Sequence, residues 1–180
     1  ARRAAAAATH ADVRFVVDGA VLPAHKVFVA RCDYFARAIA SGMRETHTNE
    51  IVLDECSLDT ARSVLLHTYT DRMFGEPANM IDVLGAANRF HMRSLAKSAE
   101  IVIERYFDFG SLHNVLQLFA FADSYNAEHI VATCKYVLLN DYTLGDVVDG
   151  VRELGLPPTL VEQLNKHRKA RFTTTSGATS

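Results

Sequence analysis

At 180 residues the chain is long enough for one domain with an appended subdomain and a substantial core. Its 49% hydrophobic and 22% charged content is that of an ordinary soluble globular protein, and a net charge of −2 supplies no global field toward nucleic acid or an anionic membrane. No apolar run approaches the ~20 residues needed to span a bilayer. The three cysteines, an odd count without CxxC, argue against a disulfide framework or zinc site and favour a reducing compartment, the cytoplasm or nucleus.

Residues 1–10, ARRAAAAATH, lack the apolar core of a signal peptide and read as a flexible segment or a short frayed helix. In VRFVVDGAVLP, two β-rich runs flank Asp18-Gly19, a strong short-range hairpin signal, and Pro23 is expected to end the second strand. A helix is predicted from Ala24 to Arg31 with Val27, Phe28 and Ala30 inward. A second, from Asp33 to Ser41, should bury Phe35, Ala38 and Ile39 before Gly42 breaks it. EIVLD (50–54) is another short strand.

Beyond residue 57 the pattern is helical. Ser57 is placed to cap a helix over 58–70, where Ala61, Val64, Leu65 and Thr68 repeat at helical spacing. FGEP (74–77) is a turn, and Asn79 is expected to cap a helix reaching Phe90, followed by another over 92–106. Helices near 112–124 and 127–140 follow Gly110-Ser111. Thr143 with Asp146 resembles a capping box, and Gly155 with Pro157-Pro158 precedes a last helix ending in the basic run NKHRKAR. Residues 79–107 can be laid on 114–142 without a gap, with Val83 on Leu118, Ala87 on Ala122, Phe90 on Tyr125, Leu95 on Ile130 and Val102 on Val137. This echo points to stacked helical hairpins.

Enzymatic readings find little support. The eight histidines include no HExxH, and His25, His91 and His129 fall in helical segments where a hydrogen-bonded structural histidine is the common outcome. Cys32, Cys56 and Cys134 sit beside apolar positions, the setting of inert buried thiols. Neither GxxxxGK[ST] nor GxGxxG occurs, so a nucleotide site has no motif behind it. The basic run 166–171 reads most simply as cations at a helix C-terminus.

The ordered series Asp12-Val13, Gly19, Ala24-His25-Lys26, Ala30-Arg31-Cys32-Asp33-Tyr34-Phe35 and Gly42-Met43-Arg44-Glu45 resembles the opening of a BTB/POZ domain. IVLDECSLDTARSVLLHTYTD and LGAANRFHMRSLAKSAEIVI are similar to that family's next strand and helices. Residues 111–142 look like the helical pair called the 3-box, and 143–167 resemble the start of a BACK extension. The resemblance implies an α+β fold, a small β-sheet capped by helical hairpins, followed by an all-helical extension. The expected organisation is a flexible segment 1–10, a BTB/POZ domain 11–107, a 3-box-like pair 108–142, partial BACK-like helices 143–171 and a disordered tail 172–180.

The same resemblance implies a non-catalytic adaptor without cofactor or metal. Met43 and Glu45 would engage cullin-3, and Asp12 and Lys26 would form a charged pocket near a homodimer face. Partners would be cullin-3, a second copy of the chain and an unidentified substrate protein, with no nucleic acid and no membrane. The alternative is a homo-oligomerisation module of a transcriptional regulator or scaffold. Three departures stand out: Cys32 replaces the family's Ser, Asp71 replaces the Gly after Tyr69-Thr70, and the long N-terminal helix of many members is not evident.

Overall fold

Val13–Val17 alternates inward Val13, Phe15 and Val17 with outward Arg14 and Val16, the period of a strand with one buried face. A computed structural model describes residues 10–41, 48–54 and 56–175, with side chains described through residue 168. Strands β1 (Val13–Val17) and β2 (Ala20–Ala24) form the expected hairpin. Asp18 at φ 48° and Gly19 at φ 76° both take the positive φ of a two-residue type I′ turn. Strand β3 (Glu50–Val52) pairs parallel to β1, giving the order β2-β1-β3. Pro23 lies inside β2 rather than ending it, because β2 is an edge strand, where a missing N–H is tolerated.

Helix α1 (Lys26–Val29) is a single turn, shorter than the span 24–31 expected from the sequence. Val29 is buried, whereas Val27, Phe28 and Ala30 are exposed, a reversal of the expected inward face. With one turn only, the chain presents one inward position before Cys32 re-enters the core. Helix α2 (Asp33–Ala40) buries Phe35 fully, while Ala38 and Ile39 are only half-buried. Phe35 meets Phe15 edge-on at 5.2 Å and Phe90 at 5.0 Å, joining the sheet to the helices.

Ser57 caps α3 (Leu58–Thr70) by accepting the Thr60 N–H at 3.2 Å, as its position predicts. Asn79 does not cap. Helix α4 (Met80–Arg89) is entered instead through a 3₁₀ turn over Pro77–Asn79, where Pro77 occupies the first helical position. Helix α5 (Arg93–Tyr106) follows, then α6 (Leu112–Ser124), α7 (Glu128–Asn140), α8 (Leu144–Glu153) and α9 (Thr159–Thr175). The chain divides into two compact units, Ala1–Arg105 and Tyr106–Ser180.

The sequence echo has a backbone counterpart. His91 between α4 and α5 and Asn126 between α6 and α7 adopt φ 58° and 53°. The N–H of Met92 reaches the Ala87 carbonyl at 2.7 Å, and that of Ala127 the Ala122 carbonyl at 2.9 Å. Gly155 repeats the turn between α8 and α9 at φ 61°, with Leu156 N–H on the Val151 carbonyl at 3.0 Å. All three are the six-residue closure that ends a helix through one left-handed residue, which Asn and Gly adopt most cheaply.

In the second unit Val115, Leu116, Phe119 and Ile130 are buried and Val137 is half-buried. Thr143 and Asp146 form a full capping box: the Asp146 N–H donates to Thr143 Oγ1 at 3.2 Å, and the Thr143 N–H to Asp146 Oδ2 at 3.0 Å. Helix α9 runs to Thr175, so the basic run 166–171 lies within it rather than at its end, and residues 172–175 are helical where a disordered tail was expected. Residues 176–180 lie outside the described residues.

Candidate functional site

His25 provides no side-chain cap for α1, and Asp12, at the entry to β1, supplies the missing acceptor. Its Oδ1 takes the backbone N–H of Lys26 at 2.6 Å. The Lys26 ammonium turns instead to Asn49 Oδ1 at 2.5 Å. The structure therefore brings Asp12 and Lys26 together, but through the backbone. Asp12 is exposed and Lys26 half-buried, and their two side chains are not paired as ions.

Beside them, the His25 N–H donates to the Tyr69 hydroxyl at 2.8 Å, and His25 Nδ1 lies 2.9 Å from the same oxygen. Burial pushes the Tyr69 hydroxyl above its ordinary pKa, the His25 N–H opposes that, and the Asp12 charge adds to it. Phe28 stacks on Tyr69 at 4.6 Å, yet Phe28 remains 39% exposed and Val27 73%. Two large apolar side chains thus stand outward on α1 beside a half-buried ring.

A cleft of about 620 Å³ opens elsewhere in the first unit. One wall is the α1–α2 junction, Arg31 to Asp33; the other is the α4–α5 turn, His91 to Ser94; the end of α3 closes it with His67 and Asp71. Cys32 and Met92 are buried apolar lining. Cys32 makes no helix cap. Its thiol points into the core and donates to the Phe90 carbonyl at 3.4 Å, which explains why a residue without capping power is accommodated there. His67 is buried and bridges two elements, with Nδ1 3.1 Å from the Arg72 carbonyl and Nε2 2.9 Å from Ser94 Oγ.

Asp71, where the resemblance leads one to expect Gly, is the left-handed C-cap of α3 at φ 56°. Its carboxylate meets Arg31 at 2.6 Å, and Arg31 also donates to the Thr68 carbonyl at 3.0 Å. The rim therefore alternates in charge, Arg31 and Arg93 against Asp33 and Asp71, over a mostly polar lining in which Cys32, Ala87 and Met92 are the apolar residues. Asp71 stands out in the sequence as a departure, but its partner Arg31 does not, because 40 residues separate the two and only the fold closes that distance.

Met43 and Glu45 fall in 42–47, outside the described residues, between the end of α2 and β3. His91 is exposed in a turn rather than a helix, and His129 is exposed on α7. The cysteines are free and buried. Burial pushes the Cys134 thiol up to about 12 and raises that of Cys56 against the opposing pull of Arg89. Thiols shifted in this direction are poor nucleophiles. Among the described residues no cluster of His, Cys, Asp and Glu could hold a metal ion, and no helix is long and apolar enough to cross a membrane.

A family model described as the BTB/POZ domain matches residues 4–106. BTB/POZ domain-containing protein 9 of Drosophila melanogaster is 30% identical over 143 residues, covering 77% of this chain and 19% of that protein. Kelch-like protein 22 of Mus musculus is 24% identical over 146 residues, covering 81% of this chain and 23% of that protein. The chain thus spans about a fifth to a quarter of the length of these curated relatives. The BTB domain of zebrafish PATZ1 superposes with a TM-score of 0.48 at 24% identity, covering 58% of this chain and 84% of that one.

Proposed function

The chain belongs to the BTB/POZ domain family and is a protein-interaction module, and from that premise we propose that it recruits cullin-3 as the substrate adaptor of a ubiquitin ligase. The observation that carries the reading is the run Gly42-Met43-Arg44-Glu45 just after α2, which resembles the hydrophobic-x-Glu motif expected of cullin-binding members of the family. A flexible thioether fills an irregular apolar pocket on the partner, and a carboxylate two residues on accepts a charge-assisted hydrogen bond at the rim. Residues 108–142, which hold α6 and α7, form the 3-box-like pair of this reading, and 143–171 begins a BACK-like extension. The substrate protein is unidentified, and the complex works in the cytoplasm or nucleus.

The test is binding of the chain to the N-terminal region of cullin-3 by calorimetry. Binding that is lost on joint Met43→Ala and Glu45→Ala substitution supports the mechanism. No affinity, or binding unchanged by the pair, overturns it.

A second reading is a homo-oligomerisation module of a transcriptional regulator or scaffold, and one observation favours it: Val27 and Phe28 stand exposed on α1, next to Asp12 and Lys26. Burying both at a two-fold interface would remove them from water. Light scattering separates the readings: a tight dimer that dissociates on Val27→Asp and lacks cullin-3 affinity favours the second.

A further inference from the structure

We draw no further inference here: the strongest candidate, the row of valines Val16, Val21 and Val52 across the outer face of the three-stranded sheet, is an apolar face with nothing in the structure to show what covers it.

Discussion

Arg31 and Asp71, 40 residues apart in the chain, meet at 2.6 Å across the end of α3 and tie its last turn to the α1–α2 junction. The contact does two things at once. Arg31 also covers the Thr68 carbonyl, one of the acceptors a helix C-terminus leaves open, and Asp71 occupies the left-handed position that closes the helix.

Substitutions at Asp71 separate the backbone effect from the ion pair. Asp71→Ala loses the pair and keeps a side chain at φ 56°, whereas Asp71→Gly loses the pair and relieves that strain. The pair is exposed on both sides and contributes at most about 1 kcal/mol. Left-handed φ costs a residue with a Cβ about 1 kcal/mol relative to Gly. Urea unfolding should therefore find Asp71→Gly close to the parent and Asp71→Ala less stable than both.

His67 is a structural bridge. A carbonyl only accepts, so Nδ1 carries the proton toward Arg72, while Nε2 pairs with the Ser94 hydroxyl, which can either donate or accept. Removing the buried ring in His67→Ala should cost about 2 kcal/mol or more, through a cavity and two lost hydrogen bonds. Ser94→Ala should cost about 1 kcal/mol, since its hydroxyl is near solvent. A double-mutant cycle should show the double variant losing less than the sum; strict additivity would show that the two do not interact.

The Thr143 hydroxyl and backbone N–H hold the Asp146 carboxyl below its ordinary value of 3.8, with the hydroxyl the larger cause. A depressed folded pKa contributes stability above the unfolded pKa and loses it as pH falls through the folded one. The start of α8 should thus remain capped at neutral pH and loosen only in strong acid, below the ordinary carboxylate range. Amide NMR shifts of Thr143 and Asp146 report this directly, and Asp146→Asn should remove the transition.

Gly150 sits mid-helix in α8 where Gly is normally a defect, and helix propensity alone would reward Gly150→Ala by about 1 kcal/mol. The added Cβ would lie 2.7 Å from Leu116 Cδ1, inside a fully buried side chain, and overpacking of that kind costs about 1–3 kcal/mol. The net change should be a lowered melting temperature. Gly145→Ala, on the same helix, meets nothing nearer than 3.6 Å and should raise it.

Much of the fold was legible because it depends on local rules. The Asp18-Gly19 turn, the Ser57 cap, the Thr143–Asp146 box and the long helices each follow from residues a few positions apart, and the structure contains them all. The readings that failed required a longer view. Pro23 and the orientation of α1 depend on which strand is the edge and on where Tyr69 arrives from α3. A sequence window cannot contain either.

The candidate site divides the same way. The ordered motifs of residues 12–45 are contiguous in sequence, so the sequence by itself determined the family and, through it, a role in protein interaction. Which charges face one another was decided only by tertiary structure. Asp12 caps the Lys26 amide while the Lys26 ammonium goes to Asn49, and Arg31 takes Asp71. The physical reason is that hydrogen bonds and ion pairs act over about 3 Å in space, whatever the separation along the chain. The partners of a side chain are therefore set by the packing that delivers them.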